Sequence, residues 1–544
     1  MELIDQHTKQ IMEGCKERAR AAGLSFKNET LEYIVTNRDI LELSPKLMIP
    51  TLYDYWVHDV EVLKEKGRYE LYPVNPYETV INTRPAISFY NDNNPDWLNV
   101  MIFYHVLGHI DFFHNNAFFK NTWHYDFTGQ ALSDKRLIAK LRALKGREVD
   151  YVIEFTRGID NLVGYYQELT RLNQPDRDQS SRRLDFYFDV FLQSIKKVKI
   201  HDYIKEVEKY NHCLQEFGES GEQSFFSDVS KHHPEWEAFF KKWLAQGSEY
   251  NLDLIQFLLD HSSLLRKEEH KWMKSVMQVV RNTSLFFQPQ IRTKILNEGW
   301  ASYWHETLYL QDDRIKGHEV EFARVNAGVT TMPRVGLNPY ALGMQLFYAL
   351  EERADKGQVS LEFQRLTDER ERQLFDRQLG QGKDFIFAVR ENYNDFMFVS
   401  QFIDQDFVNR HNLFVAGKRL DKDRMVWQYY VKSRKADDYR QMVLEALYHP
   451  PHISIEQQQS KESLLYLNHH FEGKPLVKDF IHNTMIGIEY LWGGPVQLET
   501  SEVVPSSRQT TTAAAGGESG AEKEVQFHRV LYTVENRKLS KKTL

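Results

Sequence analysis

A long stretch of helical periodicity most constrains what this chain can fold into. From Asp96 to about Leu310, apolar residues recur at three- and four-residue spacing, and few runs suggest strands. The candidate helices lie near 96–118, 133–143, 148–172, 185–217, 234–245, 251–288 and 291–310. A further helix is predicted from Asn338-Pro339 to Arg353, because proline is favoured in the first turn of a helix. We therefore predict a mainly α N-terminal domain with a few short strands over residues 1–357.

The segments on either side of this stretch have a different pattern. An amphipathic helix is predicted from Leu3 to Ala22, and short strands are predicted at 79–82 and 86–90. After about Gly357 we predict a smaller α+β C-terminal domain over residues 358–502. Its strand-like runs lie at 385–389, 413–415, 425–431, 450–455, 464–467 and 495–498, and its helices at 437–447 and 474–491.

The end of the chain is predicted to be flexible. Residues 503–524 are rich in Ser, Thr, Ala, Gly and Glu, and a segment with so few bulky apolar side chains cannot offset the entropy of ordering. We predict a disordered linker there. Residues 525–544 form a tail, and the alternation over 525–538 predicts a possible strand.

Composition and charge narrow the class of protein. The chain has 544 residues and a formal net charge of −8, and its acidic and basic residues are interspersed, so we do not expect a nucleic acid partner. Its two cysteines, Cys15 and Cys213, are far apart, which argues against a disulfide framework and a thiolate zinc site. The N-terminus lacks the apolar core of a signal peptide, and no stretch reaches the ~18 apolar residues of a membrane span. We predict a cytoplasmic protein that has protein partners.

Two short motifs carry residues suited to metal binding. The segment 104–116 contains His105 and His109, and the segment 297–306 contains Glu298 and His305. On a helix, positions four or seven apart share a face, so each motif would present its pair of side chains together. Imidazole and carboxylate donors suit zinc, iron or manganese. We predict a divalent metal site, with zinc as the expected ion, held by His105, His109, Glu298 and His305.

Glu298 lies in a segment whose neighbours are apolar or aromatic, so its carboxylate is expected to point into the protein interior. A buried carboxylate requires a cation or hydrogen bonds. A network without metal, linking Glu298 to His305, Arg281 or Tyr104, would also meet that need. The histidines could equally serve only to pack or cap, since the chain has 21 of them.

Two glycines inside the predicted helices suggest close helix packing. Gly108 and Gly299 each cost about 1 kcal/mol relative to alanine within a helix, so we expect a backbone to approach them closely. Outside the ligands, the candidates for an outer layer of the site are Asp111, Asn115, Asn116, Asp150 and Glu154. Asp111 lies almost opposite His109 around the helix, so we do not expect it to bind the same ion. Asp150 and Glu154 share a face that a solvated acidic stripe would also explain.

The two motifs, at 105–116 and 297–305, resemble those of the SpoVR family, the stage V sporulation protein R-like proteins. The resemblance continues through 289–290, 293–294, 337–343 and 490–500 and covers about residues 20–500. It implies a cytoplasmic bacterial protein associated with spore cortex formation. The chain departs from the family pattern at Asp54-Tyr55-Trp56, which replaces a Ser-His-Trp-like run, and at His114, where the family usually has lysine.

A more distant similarity is to zinc metallopeptidases of the gluzincin type, in which a glutamate after the first histidine deprotonates the metal-bound water. Here that position is Val106, which cannot accept a proton. His305, Glu306 and Glu154 are the candidate replacements, and we predict His305 and Glu306 as catalytic residues. Two hypotheses follow: a metal-dependent hydrolase acting on a peptide, amide or cell-wall-related bond, or a non-enzymatic regulatory or scaffold protein whose His/Glu cluster is structural.

Overall fold

The computed structural model describes most of the chain. The described residues are 2–26, 30–36, 39, 78–122, 127–163, 182–196, 198, 200–245, 253–421, 426–447, 450–456, 460, 463–472, 474–503 and 527–544. Several sequence predictions lie wholly or partly outside them: the 54–56 substitution, residues 164–172 of the 148–172 helix, and nearly all of the 503–524 linker. The first residues of the 251–288 helix, of the 425–431 strand and of the 525–538 strand also lie outside them.

The chain divides into two compact units. The first combines residues 1–164 with 254–544, and the second comprises residues 165–253. Residues on both sides of the domain boundary predicted near 357 therefore lie in the first unit. Beyond residue 357 the structure has helices as far as Arg410, and strands begin at Val415, so residues 358–502 combine helices with strands.

Helices dominate the structure, as predicted. In chain order they are α1 (Gln6–Ala21), α2 (Asp96–Asn115), α3 (Phe127–Lys145), α4 (Glu148–Arg157), α5 (Arg182–Asp185), α6 (Ile200–Phe217), α7 (Gly221–His232), α8 (Trp236–Ala245), α9 (Leu254–His261), α10 (Lys271–Arg292), α11 (Lys294–Tyr309), α12 (Glu319–Thr330), α13 (Pro339–Asp355), α14 (Leu361–Arg365), α15 (Glu369–Leu374), α16 (Gly382–Asn392), α17 (Asp395–Phe402), α18 (Gln405–Arg410), α19 (Ala436–Ala446) and α20 (Lys478–Trp492). Among the described residues, none of these helices is both long and apolar enough to cross a membrane.

Three sheets accompany the helices. Their strands are β1 (Glu2–Leu3), β2 (Leu31–Val35), β3 (Glu78–Ile81), β4 (Ile87–Asn91), β5 (Val415–Asp421), β6 (Val426–Ser433), β7 (His452–Ile455), β8 (Leu465–His470), β9 (Val496–Val503), β10 (Phe527–Glu535) and β11 (Lys538–Thr543). The first sheet has the order β1-β2-β4-β3, and β2 and β4 are parallel. The hairpin β5-β6 forms a sheet of two strands, and the third sheet has the order β11-β10-β9-β8-β7.

The core of the first unit is built around α2. Its residues from Leu98 to Phe113 are all buried, as expected of a helix that is apolar on every side. Helices α2 and α13 both pack against α11. Helix α13 begins as predicted, with Pro339 in the first turn and the Asn338 side chain accepting hydrogen bonds from the N–H groups of Tyr340 and Ala341.

The strand predicted at 385–389 is wrong, because those residues lie within α16. A short run of apolar residues does not distinguish a strand from a buried helix by its periodicity. Here Ile386, Val389 and Arg390 are buried while Lys383 and Asp384 on the outer side are not, which is the spacing of a helix packed on one face. Packing against α13 decides the outcome.

The C-terminal sheet incorporates the end of the chain. Residues 525–544, predicted as a tail, contain β10, which pairs antiparallel with β9, and β11, which pairs antiparallel with β10. Glu502 of β9 is 4% exposed, and its carboxylate lies 2.7 Å from Lys541 Nζ and 3.0 Å from Lys478 Nζ. The hydroxyl of Tyr532 also donates to it. These contacts join β9 to β10, β11 and α20.

Glu502 should make the stability of this sheet sensitive to acid. Burial raises the pKa of its carboxyl, but the hydrogen bonds from Lys541, Tyr532 and Lys478 outweigh burial and lower the pKa from 4.5 to about 2. Since the folded pKa lies below the unfolded one, the stabilisation is complete above about pH 4.5 and declines as pH falls toward about 2. We expect the difference in unfolding free energy between the parent and Glu502→Gln to stay nearly constant from pH 6 to about pH 5 and to shrink from there to about pH 3. Urea unfolding across that range measures it, and a constant difference would contradict the expectation.

The second unit has an aromatic core of its own. Phe186, Tyr187, Phe191, Phe225 and Trp236 are buried in it. The single helix predicted over 185–217 is interrupted, because residues Phe186–Ile195 form a π-helix and α6 begins only at Ile200.

Candidate metal centre

Helix α11 places Glu298 and His305 and is held at its first turn by a carboxylate from elsewhere in the chain. Asp395 Oδ2 accepts from the N–H of Ile295 at 2.9 Å, and Oδ1 accepts from the N–H of Leu296 at 2.8 Å. A carboxylate at this end of a helix satisfies N–H groups that have no partner within the helix. Burial raises the pKa of Asp395 to about 7, although the backbone N–H groups oppose that shift. Sequence reasoning did not find Asp395.

Glycines let the ligand-bearing helices approach closely, as predicted. A Cβ added to Gly108 of α2 would lie 2.8 Å from Ala301 Cα of α11. A Cβ on Gly299 would lie 2.4 Å from the backbone of Gly343 in α13, so this second approach joins α11 to α13 and not to α2. The predicted close approach is thus present at both glycines, but the two glycines serve different helix pairs. Gly343 is the partner that sequence reasoning missed.

Three of the predicted ligands converge on one point. The Nε2 atoms of His105 and His109 lie 3.1 Å apart. Glu298 Oε2 lies 3.5 Å from Nε2 of His109 and 3.9 Å from Nε2 of His105. The side chains are 9%, 7% and 16% exposed for His105, His109 and Glu298, so the three atoms face a largely enclosed space. Among the histidine, cysteine and acidic side chains of the described residues, these three lie close enough together to hold an ion.

Hydrogen bonds on the far side of each imidazole determine which nitrogen faces that point. His109 Nδ1 lies 2.9 Å from Asn297 Oδ1, which can only accept, so His109 carries its proton on Nδ1. Its Nε2 therefore presents a lone pair toward the cluster. Asn297, directly before Glu298 in the motif, thus orients His109 of the other helix.

His105 is oriented through a longer chain of hydrogen bonds. Its Nδ1 lies 2.9 Å from Nδ1 of His305, whose Nε2 lies 2.8 Å from Asn326 Oδ1. The amide nitrogen of Asn326 donates to Glu306, so its oxygen must accept from His305. His305 then accepts at Nδ1 from His105 Nδ1–H, and His105 Nε2 also presents a lone pair. Glu306 is held at its other oxygen by the Tyr348 hydroxyl at 2.9 Å.

Burial disfavours the charged forms of these groups. Desolvation, followed by the neighbouring histidines, lowers the pKa of His105 well below 6.5. Desolvation also lowers the pKa of His305 to about 4. For Glu298, burial raises the pKa to about 7, while Lys294 and a hydrogen bond from Tyr340 act in the opposite direction. Glu298 Oε2 is buried and accepts no hydrogen bond in the described structure. Two lone pairs and an oxygen without a hydrogen bond therefore face one another, an arrangement that a cation would stabilise.

Two other residues that were predicted to belong to the site, His305 and Glu306, lie behind the cluster and support it. His305 is fully buried and lies behind His105, on the side away from the three converging atoms. Glu306 is connected to the cluster by hydrogen bonds through Asn326 and His305. Tyr104, an alternative partner for Glu298, instead donates to Asp312 Oδ2 at 2.7 Å.

The candidates for an outer layer lie away from the donor atoms. Asp111 accepts from the N–H of Ser25 and from Trp300 Nε1. Asn115 and Asn116 donate to backbone oxygens, Asn115 to that of Ser25 and Asn116 to those of Arg390 and Tyr393. Asp150 pairs with Arg142 and Glu154 with Arg157, and their side chains are about half exposed, which agrees with a solvated acidic stripe.

Tyr340 is a site residue that sequence reasoning did not single out for its side chain. Its ring stacks on that of His105 with centroids 6.1 Å apart, and its hydroxyl hydrogen-bonds to Glu298. Asn326 is another. Both lie on helices that follow the motifs in sequence, and no spacing relates them to the ligands.

These observations define a helix-rich protein with a buried cluster of two imidazoles and one carboxylate, a donor set of the type that metalloenzymes use. The family model described as SpoVR like protein matches residues 3–449, and the chain belongs to this family. It is similar to the uncharacterized protein YcgB of Escherichia coli (strain K12), with 24% identity over 435 residues, which cover 75% of this chain and 74% of the relative. No solved structure matches the chain significantly.

Proposed function

We propose that the protein binds one divalent metal ion through Nε2 of His105, Nε2 of His109 and Oε2 of Glu298. Zinc is the ion that best suits these ligands. The spacing of these three atoms carries the proposal. Tetrahedral zinc with bonds of about 2.0–2.2 Å holds its ligand atoms about 3.3–3.6 Å apart. The observed separations of 3.1, 3.5 and 3.9 Å lie around that range before any ion has drawn the side chains together.

We also propose that the bound metal makes the protein a hydrolase of a peptide, amide or cell-wall-related bond. Three protein ligands leave a fourth position, the pattern of catalytic zinc sites, whereas structural sites usually have four. When bound, such an ion lowers the pKa of a water molecule and polarises a carbonyl group. The role in spore cortex formation implied by the family resemblance is part of this proposal.

The residues around the ligands have supporting roles in this proposal. His305, Asn326 and Glu306 keep the proton of His105 on Nδ1, so that Nε2 remains a ligand. His305 thus acts through His105 and is not the fourth ligand, and Glu306 acts through Asn326. The Tyr340 hydroxyl, beside Glu298, is placed to orient that carboxylate.

Elemental analysis of purified, zinc-loaded protein tests metal binding. We expect about one zinc ion per parent chain and far less than one in Glu298→Gln and His105→Ala after the same dialysis. His469→Ala is the matched control, because His469 is also buried and hydrogen-bonded, to Thr500, but lies in the C-terminal sheet. Equal zinc in the parent and in Glu298→Gln would refute the site.

Hydrolysis is tested separately with the same proteins. Release of new amino groups from peptides and from peptidoglycan fragments should require zinc and should be lost in Glu298→Gln, while His469→Ala retains it. Zinc binding without any such release would remove the hydrolase proposal and leave the metal site standing.

Val106 favours a second candidate function, a regulatory or scaffold protein with a structural ion. Its position lacks the base that the similar metallopeptidases carry. In that case His105→Ala should lower thermal stability without any turnover to lose. A variant that melts like the parent yet fails to support cellular function would contradict the scaffold alternative.

A further inference from the structure

The hairpin β5-β6 exposes an unusual amount of apolar surface. Trp427 is 58% exposed, Tyr429 62% and Val431 45%, and Leu420 on the neighbouring strand is 39% exposed. The register pairs Leu420 with Trp427, Lys418 with Tyr429 and Ala416 with Val431, so these side chains share one face of the hairpin. Soluble proteins seldom leave a contiguous apolar stripe of this kind uncovered unless it binds something.

The same hairpin is basic in a chain that is acidic overall. The residues described between 415 and 435 include five basic residues and one acidic residue, whereas the whole chain has a net charge of −8. The basic residues are exposed: Lys418, Arg419, Lys432, Arg434 and Lys435. A second copy of the chain would bring these like charges together, so the charge favours an acidic partner.

One edge of the hairpin is also open. Among the described residues, β6 pairs only with β5, and α19 contacts β5. A sheet of two strands is only marginally stable, and a third strand added along β6 would pair its backbone groups. Inserting this open edge into a bilayer would leave those groups without partners. Stacking of nucleic acid bases is disfavoured because Lys418 Nζ already lies over the Trp427 ring, 5.3 Å from its centroid.

We propose that the β5-β6 hairpin is a docking surface for an extended acidic segment of another protein, which adds as a third strand along β6. Apolar side chains of that segment cover Trp427, Tyr429 and Val431, and its carboxylates pair with the basic residues. This surface is independent of the metal site.

A labelled peptide of alternating glutamate and valine, added to the full-length protein, tests the proposal by fluorescence anisotropy. We expect saturable binding that weakens with salt, and at least about tenfold weaker binding to Trp427→Ala/Tyr429→Ala and to Lys418→Glu/Lys432→Glu. Since these side chains are exposed, the variants should melt like the parent. Phe480→Ala is the matched control, because Phe480 is 68% exposed but lies on α20.

Three results would overturn the proposal. The first is equal binding of a peptide in which lysine replaces glutamate. The second is binding that the hairpin variants leave unchanged, or no binding at all. The third is hairpin-dependent binding of oligothymidylate or of phosphatidylglycerol vesicles in place of the peptide.

Discussion

Glu298→Gln should reverse its effect on stability when metal is added. In the metal-free protein, glutamine removes a buried carboxylate whose Oε2 accepts no hydrogen bond, and its amide can donate to a lone pair of His105 or His109. We expect the metal-free variant to be more stable than the parent by about 1–2 kcal/mol. With zinc at about 1,000 times its Kd, the parent gains about 4 kcal/mol, and a variant that binds at least about 100-fold more weakly gains no more than about 1.4 kcal/mol.

Thermal unfolding with zinc and with a chelator measures both effects. The melting temperature of Glu298→Gln should be above that of the parent with chelator and below it with zinc. Glu502→Gln is the control, since it alters a buried carboxylate of the C-terminal sheet that is not part of the cluster. Its stability relative to the parent should be the same with and without zinc. If Glu298→Gln is less stable than the parent by the same amount in both conditions, the carboxylate serves a network without metal.

Gly343→Ala should be among the most damaging single-methyl changes in the protein. Its Cβ would lie 2.1 Å from the carbonyl oxygen of Ile295 and 2.7 Å from Gly299 Cα, both of them backbone atoms of α11. Rigid backbone cannot give way as a flexible side chain does, so α11 and α13 must separate. We expect a loss of about 3 kcal/mol or more and, because α11 carries Glu298, a parallel loss of zinc affinity.

Gly328→Ala is the matched control for that change. Gly328 also lies within a helix, α12, but a Cβ there would meet no atom within 4 Å. Alanine favours helix over glycine, so we expect Gly328→Ala to be neutral or to stabilise by up to about 1 kcal/mol. Urea unfolding of both variants, with zinc analysis, completes the comparison. A Gly343→Ala protein as stable as Gly328→Ala would mean that α11 and α13 are not packed as described.

Much of the candidate site could be predicted because its signals are local. His105 and His109 share a face of α2 through helical spacing alone, and the apolar neighbours of Glu298 indicate burial of its carboxylate. The glycines showed that backbones approach the helices closely, since a helical glycine has a cost that packing must justify. They did not show which helix approaches Gly299, because tertiary packing, and not local sequence, places α13 against it.

The parts that escaped prediction all involve contacts between distant segments. Asp395, which holds the start of α11, is about 100 residues from its partners, and Asn326 and Tyr340 lie outside both motifs. The run 385–389 is a helix because packing on α13 leaves only one of its faces buried. Propensity and periodicity are too weak to specify such arrangements when tertiary contacts compete with them.

By itself the amino-acid sequence determined the helical character of the chain and its family, and it indicated four candidate ligands for an ion: His105, His109, Glu298 and His305. Only the tertiary structure decided that Nε2 of each imidazole faces Glu298, and that His305 lies behind His105. The physical reason is that helix geometry relates residues only a few positions apart. The packing of α2, α11 and α13 relates residues hundreds of positions apart.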